Sequence, residues 1–232
     1  DMQKAVERIN KAIKDKQRII IFGDYDADGI SGTAVLMHAL TKFGANASYR
    51  LPHRVNDGYG LSEKFIEAFV EAKADLVITV DCGISNANEI AKIQDRGIDV
   101  IVTDHHTVPA KAPNAYAIIH PMMKGEDYPF KGLTGSGVAF KLAQGLFVNN
   151  GLAEEEYEKL LDLASLGTVA DMGPLVGENR LIVKKGLKSL AQSKWKGLEI
   201  LKEISGIKKE EQVNTGTIGF KICPRINAAG RI

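Results

Sequence analysis

Three short runs rich in β-branched residues recur along this chain: Arg18-Ile19-Ile20-Ile21-Phe22-Gly23, Leu76-Val77-Ile78-Thr79-Val80 and Asp99-Val100-Ile101-Val102-Thr103. Each is followed at once by acidic residues or by an acid with histidines. Runs this short and this apolar read as buried strands. Segments with helical spacing separate them, beginning with Val6, Ile9 and Ile13, and Gly or Pro marks the joints. The expected order is helix 3–16, strand 18–23, helix 30–43, strand 46–51, helix 62–73, strand 75–80, helix 86–96, strand 98–103 and strand 115–119. Such alternation requires a parallel sheet with right-handed crossovers. The fold class is therefore α/β, with a five-stranded, mainly parallel sheet flanked by helices.

Past Pro121 the pattern changes. Val138, Leu142 and Leu146, then Tyr157, Leu160, Leu161 and Ala164, then Leu181, Ile182, Leu187 and Leu190 recur at helical spacing. A sheet core over about 17–120 is thus followed by a helical region over about 121–232.

With 232 residues, 44% of them hydrophobic, the chain can bury a substantial core and reads as a soluble globular protein. Lys and Arg total 30 against 29 acids, a formal charge of +1, so there is no global basic field to capture a polyanion. Any nucleic-acid binding must come from a local patch. The two cysteines, Cys82 and Cys223, have no Cys-x-x-Cys spacing, which argues against a disulfide framework or a thiolate zinc site and fits a reducing compartment. No long apolar run or signal peptide is visible, so no membrane partner is expected and the cytoplasm is the default location. The ends, Asp1-Met2 and Arg231-Ile232, suggest a piece of a longer protein.

In an open parallel sheet, ligands bind beyond the carboxyl ends of the strands. At the first such end stands Asp24-Tyr25-Asp26-Ala27-Asp28-Gly29. Alternating carboxylates crowd negative charge into a small volume, at a cost that a divalent metal would offset. The same spacing opens an EF-hand loop, but that loop needs a Glu at its twelfth position, where this chain has Val35. An Asp-x-Asp phosphatase would use its first Asp as nucleophile and has no need of two histidines at another strand end. Helix capping accounts for one of the acids, not three. Asp81-Cys82-Gly83 follows the second run; Asp81 alone also suits a turn or a cap, and Cys82 a small buried filler. Asp104-His105-His106 follows the third, and adjacent imidazoles beside a carboxylate are a poor choice for packing. Neutral imidazole is the commonest nitrogen ligand, and a neighbouring carboxylate fixes its tautomer. His38 and His120 read as structural, and His53 is open. Asp171, alone in the apolar run Leu163 to Leu175, is exposed, capping or metal-bound.

The set Asp24-Tyr-Asp-Ala-Asp-Gly29, Asp81-Cys-Gly83, Asp104-His-His106, Gly135-Ser-Gly-Val-Ala139, Ser165-Leu-Gly-Thr-Val-Ala-Asp171 and Pro224-Arg-Ile-Asn-Ala-Ala-Gly-Arg231 resembles the DHH phosphoesterase superfamily. Within it, the chain is most similar to the single-strand-specific DNA exonucleases. The match spans nearly the whole chain in order. It implies two metal ions held by Asp26, Asp28, Asp81, His105 and Asp171, with Asp81 bridging; the donor chemistry makes manganese (Mn2+) the first choice and magnesium the next. His106 would contact phosphate or move a proton, with Asp24 and Asp104 standing behind the ligands. Some relatives carry a His where this chain has Phe22, which leaves one ion less fully held. A carboxylate-rich set with one or two imidazoles independently suits manganese.

Arg54 lies in the Gly-rich loop Leu51 to Gly60 and can fork onto a phosphate; the resemblance implies a terminal phosphate. Arg225 and Arg231, with Lys221 upstream, are candidates for backbone phosphates. The implied activity is 5′-to-3′ exonucleolytic hydrolysis of single-stranded DNA in repair and recombination, with repair or replication proteins as partners. Alternatives are a phosphodiesterase acting on short oligonucleotides or dinucleotides, and a non-catalytic scaffold. Relatives continue into a DHHA1 domain with a Gly-rich phosphate motif and often an OB-fold; this chain resembles the catalytic core alone.

Overall fold

The computed structural model describes residues 1–193, 195–208 and 211–230. Helix α1 (Met2–Lys14) leads into strand β1 (Arg18–Gly23), followed by α2 (Ala27–Lys42), β2 (Asn46–Arg50), α3 (Glu63–Glu71), β3 (Leu76–Val80), α4 (Ala87–Asp95), β4 (Asp99–Thr103) and β5 (Ala117–Ile119). All pairings are parallel, in the order β2-β1-β3-β4-β5. The expected sheet is present, with strand bounds shifted by no more than two residues.

The register decides where the chemistry sits. Gly23 pairs with Val80, Val80 with Thr103, and Thr103 with Ile119. The strands therefore end level, and the next residue after β1, β3 and β4 is an aspartate each time: Asp24, Asp81 and Asp104. Their amides continue the ladder, Asp24 donating to Val80 O at 3.1 Å, Asp81 to Thr103 O at 3.0 Å and Asp104 to Ile119 O at 3.2 Å.

Alternate side chains of each strand enter opposite cores, as the two-residue period demands. Ile19 and Ile21 of β1 join Leu76, Ile78 and Val80 of β3 against α1 and α2. Ile20 and Phe22 join Val77, Val100 and Val102 against α3 and α4. Phe22 is fully buried, its ring 4.7 Å from Phe65 and 5.9 Å from Phe69 in edge-on packing. It therefore belongs to the core opposite α2, and truncation to Ala would cost about 3–5 kcal/mol.

Beyond residue 121 the chain is helical, as its periodicity predicts: α5 (Gly135–Asn149), α6 (Glu154–Glu158), α7 (Leu161–Ala170), α8 (Gly177–Ala191), α9 (Lys196–Ile204) and α10 (Thr215–Thr217), then a π-helical turn (Ile218–Ile222) and α11 (Cys223–Ala229). Leu142, Ala143, Leu146, Ala164 and Leu166 pack these helices onto the α1/α2 side of the sheet. Among the described residues no helix is long and apolar enough to cross a membrane.

Candidate metal centre

Helix α2 begins three residues before the expected 30, and this decides how the first acids are held. Asp26 is its N-cap, with Oδ1 accepting from the amides of Asp28 at 2.9 Å and Gly29 at 3.0 Å. Capping thus accounts for one acid of the three, and Asp28 lies in the first helical turn. The helix N-terminus favours both charges. Asp24 stays in the loop, 4% exposed. Asp81 adopts φ +61°, a left-handed conformation that Asp tolerates better than most residues and that aims its side chain at the sheet end. Asp171 arrives from the helical part as the residue that ends α7.

These groups converge. Among the described residues, three sets have ligand atoms within 4.8 Å of one another: Asp24, Asp26 and Asp81; Asp81, His105 and His106; and Asp28, His105 and Asp171. Asp81 and His105 each belong to two sets. His105 Nε2 lies 3.0 Å from Asp81 Oδ1, 3.8 Å from Asp171 Oδ2 and 3.9 Å from Asp28 Oδ2. Yet Asp24 Oδ1, Asp81 Oδ1 and His105 Nε2 are buried without a hydrogen bond among the described residues. Buried polar atoms are rarely left so. A hard divalent cation fits this donor set of carboxylate oxygens with imidazole nitrogen. Asp24, expected behind the ligands, shares one of these sets with Asp26 and Asp81.

Electrostatics agree with the geometry. Burial, followed by the charges of Asp28, Asp26, Asp104 and Asp24, raises the Asp81 carboxyl well above its ordinary value. Burial likewise raises Asp28, and pushes Asp24 and Asp171 to about 6, with the Asp28 charge adding to the effect on Asp171. So many carboxylates cannot all ionise here without added positive charge.

Asp104 is different. Oδ1 accepts from the His105 and His106 amides at 2.7 and 3.1 Å and from His106 Nδ1 at 2.8 Å, while Oδ2 accepts from the Ile84 amide at 2.9 Å. Burial opposes its charge, but these donors together hold Asp104 below the usual carboxylate range. In return, the hydrogen bond to Asp104 raises His106. With Nδ1 committed to Asp104, the His106 ring, 44% exposed, keeps Nε2 for another partner.

The loop after β2 folds back over this centre. Arg54 places its guanidinium carbon 4.8 Å from the Tyr25 ring centroid. Tyr59, to which sequence reading gives no role, donates its hydroxyl to Asp81 O at 3.1 Å and lies 3.2 Å from His106 Nδ1. His53 Nδ1 accepts from the amides of Val55 and Asn56, a turn-holding role. His120, expected to be structural, donates Nε2–H to His106 O at 2.8 Å. Arg225 is exposed, with Nη1 donating to Lys221 O at 2.6 Å, and Lys221 Nζ pairs with Glu211. Arg231 lies outside the described residues. Asn227, between the two arginines, accepts from the Ala27 amide at 2.7 Å.

The Gly135-Ser-Gly motif also acquires a place. Thr134 Oγ1 and the Gly135 and Ser136 amides all donate to Asp28. A Thr before a Gly-Ser-Gly turn is an N-cap signal, but its target is invisible without the fold. Close approach explains two glycines: a Cβ at Gly135 would collide with the Asp81 carboxylate, and one at Gly167 with Asp28 Oδ1 and Ser136 Oγ.

The chain is 44% identical over its full length to the single-stranded-DNA-specific exonuclease RecJ of Bacillus subtilis, and 42% identical to that of Thermus thermophilus. It spans 28% and 33% of those proteins. A crystal structure of exonuclease RecJ bound to manganese superposes with a TM-score of 0.90 at 39% identity, covering 99% of this chain and 57% of that one. Residues 18–168, from the first residue of β1 to the helix that ends at Asp171, match the model of the DHH family, N-terminal domain. With its strand-end aspartates and paired histidines inside that match, the chain belongs to the DHH family.

Proposed function

We propose that this chain is the catalytic core of a single-strand-specific DNA exonuclease that hydrolyses phosphodiesters at a two-ion manganese centre, with magnesium as the alternative metal. The carrying observation is that Asp24 Oδ1, Asp81 Oδ1 and His105 Nε2, at three strand ends, are buried without a hydrogen bond among the described residues, the last two only 3.0 Å apart. Asp26, Asp28, Asp81, His105 and Asp171 hold the ions in this reading. Asp81 belongs to both sides, and Asp24 is close enough to assist. When bound, two such cations supply Lewis acidity and a water of lowered pKa for displacement at phosphorus.

The protein groups do the rest. Asp104 accepts from Nδ1–H of His106 and favours the protonated ring, and in that form Nε2–H can donate to a phosphate oxygen or pass its proton to the leaving oxygen, leaving the neutral Nδ1–H imidazole. Tyr59 keeps the His106 ring beside the Asp81 backbone. Arg54, braced on Tyr25, takes the terminal phosphate in a forked bond. Arg225 and Arg231 contact the backbone further along. Support for DNA comes from the printed specificity of the relatives. Degradation from the 5′ end, a role in repair and recombination, and contact with repair or replication proteins follow from the same resemblance.

The test compares a long single strand, its duplex and a dinucleotide as substrates for this chain, with manganese and with EDTA. Manganese-dependent release of mononucleotides from the single strand is expected, with the duplex spared. Faster cleavage of the dinucleotide would reassign the chain to the short-oligonucleotide phosphodiesterases, and no hydrolysis with any metal would leave a scaffold.

A further inference from the structure

The carboxylate of Asp28 is divided between two tasks. Oδ1 accepts from Thr134 Oγ1 at 3.1 Å and from the Ser136 amide at 3.0 Å. Oδ2 accepts from the Gly135 amide at 2.6 Å and is the oxygen that looks towards His105 Nε2 at 3.9 Å. All three donors belong to the N-cap and first turn of α5. One oxygen is anchored on both sides, so the other is left to point at the centre.

The anchoring continues into a second ligand-bearing element. Ser136 Oγ donates to Ala164 O of α7 at 3.1 Å, a carbonyl that also accepts from Thr168 Oγ1 at 2.8 Å. Thr134 Oγ1 and Ser136 Oγ lie 3.2 Å apart. Each hydroxyl has one proton. Since a carbonyl can only accept, the Ser136 proton goes to Ala164, and the Thr134 proton is free for Asp28. Asp28 (α2), Thr134 and Ser136 (α5) and Ala164 (α7) thus form a continuous polar strut, and α7 ends at Asp171. Thr134 and Asp28 are each 1% exposed and Ser136 is fully buried. Hydroxyls at such depth are costly to bury unless their partners need them.

We propose that Thr134 and Ser136 are positioning residues that aim Asp28 Oδ2 and set its separation from Asp171, so that the ion held by Asp28, His105 and Asp171 depends on the α5 N-terminus. This rests on the two-ion reading above. Among the hydrogen bonds described, the Thr134 and Ser136 side chains do not reach Asp24 or Asp26, and Asp26 is joined to the strut only through the Asp28 amide, so the two ions should respond differently to the loss of the hydroxyls.

Titration of the chain with manganese chloride, followed calorimetrically and by the spin-coupled signal of paired manganese, tests this. Thr134→Val removes the donor at nearly constant volume, and affinity for one of the two ions should fall by about 10–100-fold, the usual effect of losing a ligand's supporting group. The other ion should be retained and the paired signal lost at limiting metal. Thr134→Ser should restore both. Ser136→Ala keeps the amide donor to Asp28 and loses the hydroxyl's link to α7 and its contact with Thr134 Oγ1, so a smaller loss at the same ion is expected. Turnover of Thr134→Val should recover with excess manganese, which a general defect in folding would not allow. Parent-like affinity for both ions in Thr134→Val, or no rescue by Ser, overturns the assignment. If the parent itself binds one ion, the two-ion reading fails; the strut then stands or falls on whether Thr134→Val weakens that ion and Thr134→Ser does not.

Discussion

Asn227 Oδ1 accepts a hydrogen bond from the Ala27 amide at 2.7 Å, joining residues separated by 200 positions. Ala27 is the first residue of α2, and the next two amides are taken by Asp26. Asn227 therefore completes the cap under which Asp26 and Asp28 are presented. Asn227→Ala leaves a buried N–H unpaired, at about 1–3 kcal/mol. A lower melting temperature and a higher manganese requirement are expected; unchanged thermal unfolding would show that water replaces the contact at no cost.

Asp81→Asn should abolish hydrolysis while raising the stability of the metal-free protein. Asn accepts the left-handed backbone of Asp81 as readily as Asp does, so the substitution removes charge without strain. It also relieves repulsion with Asp28, Asp26, Asp104 and Asp24. Activity within about tenfold of the parent at saturating manganese, a barrier change near 1.4 kcal/mol, would rule out a bridging carboxylate.

The adjacent histidines should separate by assay. His105 faces three carboxylates, whereas His106 is bound to Asp104 and open to solvent on its other side. His105→Ala is expected to weaken both manganese binding and turnover, and His106→Ala mainly turnover. Equal loss of metal affinity in calorimetric titrations of the two variants would reverse this division.

Arg54→Ala should penalise a 5′-phosphorylated single strand by about 1.5–3 kcal/mol, the scale of a charge-assisted hydrogen bond, and spare a 5′-hydroxyl strand. Tyr25→Leu should reproduce part of the effect, about 0.5–1 kcal/mol, by releasing the guanidinium from the ring. Equal losses on both strands would make Arg54 a general backbone contact.

The metal-free centre should invert the usual effect of mild acid. Asp24 and Asp171 titrate at about 6 when folded, against 3.8 for a free Asp. Between those values the folded state holds more protons than the unfolded one, so stability falls as pH rises through 4 to 6. His106, raised by Asp104, adds to stability below its ordinary value of 6.5 and loses that contribution as pH rises through its folded value. In EDTA, the melting temperature is expected to be higher at about pH 5.5 than at about pH 7.5, and saturating manganese should reverse the order, because bound carboxylates must be deprotonated. The same order with and without metal would mean that the cluster does not control the response.

The sheet was legible because β1, β3 and β4 each concentrate Ile and Val in one short run, and the first residue past each run carries its own chemistry. Asp104-His105-His106 was legible for the same reason. Asp171 could not be assigned from its surroundings alone, since a lone acid in an apolar helical run reads equally as exposed, capping or metal-bound; only the packing of α7 on α2 brings it near Asp28. Thr134, Tyr59 and Asn227 were less visible still. Their partners lie 106, 22 and 200 residues away, and no local period records a contact of that kind. The early start of α2 was missed because Asp and Gly ordinarily signal turns, whereas here Asp26 uses that same preference to cap a helix.

The parallel order β2-β1-β3-β4-β5 also has a consequence for how the chain reaches its active form. Parallel neighbours can meet only after the intervening helix has crossed over, so long loops must close before their contacts repay the lost chain entropy. Asp26, Asp81, His105 and Asp171 become neighbours only once three strands have aligned and α7 has docked. A half-folded chain, during synthesis or after thermal damage, therefore lacks a complete set of cation donors. The capacity to hold the cations thus arrives with the last stages of assembly, and partly formed molecules lack it.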